Sequence, residues 1–140
     1  MSRKLNKTKN KGRFAGIPIW VMESAIFVSL PILSKAFLLE LAAQYNGRNN
    51  GYLSLTRQDL KRRGFPSPLS TQRAIESLVD TRLIVRTRVG RLSHGRACCS
   101  LYALGWRDLD EKIDKPLEST VNPSALQISF RGERVCIISR

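Results

Sequence analysis

Thr56-Arg57-Gln58-Asp59-Leu60-Lys61-Arg62-Arg63-Gly64-Phe65-Pro66-Ser67-Pro68-Leu69-Ser70-Thr71-Gln72-Arg73-Ala74-Ile75-Glu76-Ser77-Leu78 is the stretch on which the fold turns. Thr56 suits a helix N-cap, and Asp59 in the first turn complements the helix dipole. The spacing predicts a helix from Arg57 to Arg63, with Leu60 as its main inward anchor and Gly64 as its stop. Ser67-Pro68 announces a second helix, because proline at the first helical position gives up an N–H that has no partner there anyway. Thr71, Ala74, Ile75 and Leu78 then recur at spacings of three and four and share one face. Gln72, Arg73 and Glu76 fall on the opposite face, with Ser70 at its rim. Two short helices around a Gly/Pro turn, the second polar at its N-terminal half, form a helix-turn-helix pattern.

Moving outward, the charge concentrates on the same region. Arg48 to Arg96 carries eleven Lys/Arg against three acids (Asp59, Glu76 and Asp80), a net +8 of the chain's +13. Met1 to Arg13 adds six bases and no acid, while the remaining segments are close to neutral. Charge spread for solubility would not cluster this way, so the pattern implies a polyanionic partner. After the second helix, Leu83 to Val89 alternates as a strand, with Cys99 to Leu104 as its partner. Gly90 to Arg96 between them exceeds a two-residue hairpin loop and is strongly basic, so it reads as a wing.

Before the helix pair, Phe14 to Val28 reads as an apolar preface in which Pro18 opens a short helix and Glu23-Ser24 breaks it. A long helix follows, starting at Pro31 or Ser34 and ending at Tyr45. Leu38, Leu41, Ala42 and Tyr45 set its stripe, and Phe37 and Leu39 widen that stripe until it nearly surrounds the helix. Asn46-Gly47 should end it, and Asn49-Asn50-Gly51 marks a further turn before a brief strand at Tyr52 to Leu55. Met1 to Arg13 reads as a disordered basic tail. Residues 111–140 read as a C-terminal extension, with Leu126 to Ser139 patterned like a small hairpin.

Other classes find little footing. The 140 residues and 42% hydrophobic share suit one domain, here Phe14 to Asp110. No apolar run reaches the ~18 residues that span a bilayer and no signal-peptide core follows the basic start, so a cytoplasmic location is expected. Cys98, Cys99 and Cys136 make a poor disulfide framework, and adjacent strand cysteines point to opposite faces, which disfavours a metal site. The single histidine, His94, has no evident orienting carboxylate, and no phosphate-binding glycine loop occurs. Catalysis, cofactors and a small-molecule ligand are therefore not expected.

Tyr45-Asn46-Gly47-Arg48-Asn49-Asn50-Gly51, then Leu53-Ser54-Leu55, Arg73-Ala74 with Leu78, Leu83-Ile84-Val85 and Ser100-Leu101-Tyr102-Ala103-Leu104 together resemble small bacterial winged helix-turn-helix proteins of phage, plasmid or integrative elements. The resemblance spans Phe14 to Asp110. The chain departs from it at Pro66-Ser67-Pro68 and in the C-terminal part. It implies an α+β winged helix-turn-helix, a three-helix core with a two- to three-stranded wing, carrying an N-terminal arm and a C-terminal extension.

That fold places expected roles on named residues. Ser70, Gln72 and Arg73 would face base edges in the major groove, Arg73 because a guanidinium reaches two guanine acceptors at once. Arg57, Lys61, Arg62, Arg63, Arg86 and Arg88 would contact phosphates, and Arg91, His94 and Arg96 would act from the wing, toward the minor groove. Glu76 would repel phosphate unless it accepts from cytosine or pairs with Arg73. Any single arginine of this kind is more often a solvated surface residue, and only the cluster lifts the reading. The expected partner is double-stranded DNA, bound by a transcriptional regulator, with a homodimer formed through the preface, the long helix or the C-terminal hairpin. The alternatives are a replication-initiation or partition protein of a mobile element, and a protein-interaction winged helix that leaves DNA alone.

Overall fold

The computed structural model describes residues 12–117 apart from His94 and Ile113. The tail before Gly12, His94 at the wing tip, Cys136 and the C-terminal hairpin expectation lie outside the described residues. Within them the chain is α+β, with five helices and two small antiparallel sheets. No described helix is long and apolar enough to cross a membrane.

The preface folds into two single-turn helices, α1 (Ile19–Met22) and α2 (Ala25–Ser29). The break between them falls where Glu23-Ser24 predicts it. Buried Ser24 accepts from the Phe27 N–H at 3.2 Å and donates to the Val21 carbonyl at 2.6 Å, so one hydroxyl caps α2 and ties off α1. Helix α3 (Ile32–Gln44) then runs through the centre. Phe37, Leu38, Leu41 and Ala42 are buried, but Leu39 is 51% exposed and Ile32 78% exposed. The expectation that apolar surface wraps nearly the whole helix therefore fails on this side, which faces solvent.

Helix α4 (Arg57–Arg62) and helix α5 (Pro68–Asp80) lie where their caps place them. Thr56 and Asp59 form a reciprocal capping box, and the Ser67 hydroxyl accepts from the Ser70 N–H. Gly64, at φ +84, reverses the chain between them. Helix α3 crosses α5, where the fully buried Ser34 hydroxyl donates to the Ala74 carbonyl at 2.9 Å. Phe37 fills the space below, with its ring edge-on to Tyr102 at 5.8 Å and to Phe65 at 6.2 Å.

Strand β1 (Ile84–Arg88) pairs antiparallel with β4 (Leu101–Leu104), aligning Ile84 with Leu104 and Arg86 with Tyr102. The predicted strand at Tyr52 to Leu55 contracts to one bridge, Leu53 with Tyr102, on the far edge of β4. The Asn50 side chain takes the N–H and the carbonyl of Leu104, the groups that the next rung of the ladder would use, while Gln44 binds the outward-facing N–H and carbonyl of Ser54. The wing also differs from the loop expected. It is itself a hairpin, β2 (Arg91–Ser93) with β3 (Arg96–Cys98), turning between Ser93 and Arg96 with Gly95 at φ +74. Cys98 ends β3 and Cys99 lies beyond it, both half-buried free thiols, so the two do not share one regular strand. The order α3, a single-bridge strand, α4, α5, β1, the β2–β3 hairpin and β4 is compatible with a winged helix.

Candidate nucleic-acid interface

The connector from Tyr45 to Gly51 ties the end of α3 to the sheet and to the segment that follows β4. Asn50 is fully buried. Its Oδ1 accepts from the Leu104 N–H at 2.7 Å, and its Nδ2 lies within hydrogen-bond range of the carbonyls of Leu104, Arg107 and Asp108. The backbone N–H of Asn50 donates to the Asp110 carboxylate, and its carbonyl accepts from the Asp110 N–H. Asn49 accepts from the Asn46 N–H and donates to the Gln44 carbonyl, closing the end of α3. That end is capped by Tyr45 in an extended conformation, so Gly47, at φ +94, serves the following turn instead. Buried Thr87 donates to the Gly51 carbonyl at 2.6 Å. The most distinctive string of the sequence is thus a structural fastener through Asn49 and Asn50, while Asn46 and Arg48 are exposed.

The basic residues divide by what they already hold. On α4, Arg57 and Lys61 stand one turn apart and line the groove toward α5, which Gln72 also lines. Arg62 and Arg63 lie on the other flank, beside Glu40 of α3. There the Arg63 Nε donates to both Glu40 carboxylate oxygens at 3.0 and 3.1 Å. On α5, Ser70, Gln72 and Arg73 are all exposed. Ser70 and Gln72 sit on opposite flanks, about 160° apart at 100° per residue, with Arg73 between them on the outermost line. The Ser70 hydroxyl accepts from Ser67 within the N-terminal turn.

Glu76 pairs with Arg86 of β1, at 2.8 Å, a partner outside the alternatives of phosphate repulsion, cytosine or Arg73 that the sequence offers. This pairing fastens α5 to the sheet, and the Arg86 guanidinium also lies 5.8 Å from the Tyr102 ring centroid. Partial burial lowers the pKa of Arg86, but the hydrogen bond to Glu76 and the Tyr102 side chain outweigh it and leave a net upward shift. Arg88 donates through Nε and Nη2 to the Cys99 carbonyl, at 3.1 and 2.7 Å. Arg86 and Arg88 therefore each have a structural partner. Arg91 and Arg96 are exposed on the hairpin, which also presents Leu92, 80% exposed.

Two of the three acids within the helix pair are similarly engaged, and the third, Asp80, is exposed at the C-terminal end of α5. Asp59 accepts from the Thr56 N–H and hydroxyl, and those bonds hold its carboxyl below the ordinary range. Glu76 is bound to Arg86. Arg57, Lys61, Arg73 and Arg96, by contrast, have no ion-pair partner among the described residues. Sequence reasoning placed the helices that carry these groups and missed the pairings that remove Arg63, Arg86 and Arg88 from the free set. Such pairings span elements far apart in the chain, and no local signal reports them. Among the described residues no group of His, Cys, Asp and Glu is arranged to hold a metal ion. No protein-family model, curated protein or solved structure matches this chain.

Proposed function

We propose that this chain is a winged helix that binds duplex DNA, with α5 in the major groove and the β2–β3 hairpin on the adjoining backbone or minor groove. The observation that carries the reading is a charge imbalance built by the fold. Arg57, Lys61, Arg73 and Arg96 are exposed without ion-pair partners among the described residues, while Asp59 and Glu76 are held in internal bonds. A surface left positive in this way matches a phosphate backbone. Arg73, on the outermost line of α5, is the base reader, with Gln72 and Ser70 on its flanks. Arg57 and Lys61 on α4 are phosphate contacts, and the Glu76–Arg86 pair holds α5 against β1. The role in keeping with such a module is transcriptional regulation. Replication initiation or partition uses the same surface, and footprinting separates them: a promoter site supports the first, repeated origin sites the second.

The test is binding of a random duplex across a salt series. Four phosphate contacts, by Arg57, Lys61, Arg62 and Arg96, give a slope of log affinity on log salt of about −4. An affinity that stays flat between low and physiological salt overturns the proposal and favours a winged helix that docks on protein.

A further inference from the structure

We propose a second binding site, for a small apolar carboxylate, in the groove between α4 and α5. The groove encloses about 560 Å³, within the range of small-molecule sites. Its walls are the side chains of Leu60, Phe65, Pro66, Pro68 and Ile75. Leu60, Phe65 and Ile75 pack inward against the core yet stay only half-buried, so their outer surfaces are left uncovered. The prolines keep it open: Pro66-Ser67-Pro68 carries the chain away from α4 before α5 begins, and rigid rings cannot collapse into the gap.

Two further observations select the occupant. Among the described residues the only charged side chains lining the groove are Arg57 and Lys61, so it is positive without a compensating carboxylate there, and Asp59 faces the opposite flank with Glu40. Thr71 also lines the groove, is 3% exposed, and its buried hydroxyl has no hydrogen-bond partner among the described residues. An apolar body on the proline and phenylalanine walls, with an anionic head between Arg57 and Lys61, satisfies the apolar surface and the charge together. A carboxylate fits the guanidinium of Arg57 in a two-point contact. Arg57 and Lys61 are also the phosphate contacts of the duplex reading, so a bound acid withdraws them from DNA. That regulatory consequence, though not the site, rests on the duplex reading.

The experiment titrates 4-phenylbutyrate, and separately its neutral amide, into the isotope-labelled full chain. Backbone amide shifts are followed by NMR without DNA. The expected result is saturable shifts at Leu60, Phe65, Thr71 and Ile75, with the amide binding about tenfold or more weakly for want of the charge-assisted contact. Lys61→Glu, a change at an exposed site, should weaken the acid to the level of the amide and leave the melting temperature in place. Ile75→Trp should fill the groove and abolish binding, with its own melting curve as the check on folding. Equal binding of acid and amide, or shifts that follow the basic surface and omit Phe65 and Ile75, overturns the site. Duplex affinity of the unsubstituted chain keeps the two readings apart. No acid binding by that chain with duplex binding present removes this site alone, and acid binding without duplex binding removes the duplex reading alone.

Discussion

The Tyr45–Gly51 connector and the α4–α5 pair are both polar, glycine-punctuated and free of long apolar runs, yet they use their polar atoms in opposite directions. In the connector, Asn50 is buried among four backbone partners, and Asn49 closes the end of α3. In the helix pair, Gln72, Arg73, Arg57 and Lys61 point to solvent. Polar composition is therefore no guide to which region meets a partner. What separates the two is whether the fold satisfies the groups itself.

The largest test of that contrast is Asn50→Ala. It strips partners from the Leu104 N–H and from the carbonyls that face Nδ2, and should cost about 3 kcal/mol or more in denaturant unfolding. A loss under ~1 kcal/mol would mean that the connector is not the fastener described. Next comes the outward region. Arg73→Ala should weaken a selected site by ~1–3 kcal/mol relative to random duplex, while Arg57→Ala weakens both equally. Equal losses in both variants, measured by titration on the two duplexes, make Arg73 one more phosphate contact.

Arg63 gives a smaller and sharper comparison, because it belongs to the basic cluster by sequence and to the fold by its bond to Glu40. Arg63→Ala should reduce stability by ~0.5 kcal/mol, as expected of an exposed pair, and leave the salt slope of duplex binding unchanged. A slope shallower by about one places Arg63 on phosphate after all. The smallest effect concerns acid. Bonds from Thr56 hold the Asp59 carboxyl below its ordinary value, so the capping box contributes stability above the unfolded pKa of about 3.9. That contribution is lost as pH falls through the lower folded value. Helix α4 should fray there first, and Asp59→Asn should flatten this acid-dependent part of the circular-dichroism curve.

Local chemistry explains which elements were legible. Thr56, Gly64 and Ser67-Pro68 bounded α4 and α5 because caps and turns act within three or four residues. The preface break at Glu23-Ser24 was readable for the same reason. Leu39 misled because helical spacing counts apolar residues without knowing how many sides the rest of the chain covers. The strand at Tyr52 to Leu55 contracts because the Asn50 side chain occupies the Leu104 groups that would pair next, a contact across fifty-four residues. Candidate contacts were legible as a cluster and not singly. Glu40, Cys99 and Glu76 decide which arginines are free, and each reaches its partner across ten or more residues.

Strand β1 has one further consequence. Among the described residues it pairs only with β4, so its other side is an open sheet edge with backbone groups able to accept a foreign strand. Arg86 and Arg88 stand on that short strand, each held in place by an internal bond. Glu76 neutralises Arg86, so Arg88 is the residue on this strand whose charge opposes the approach of a second copy of the same edge.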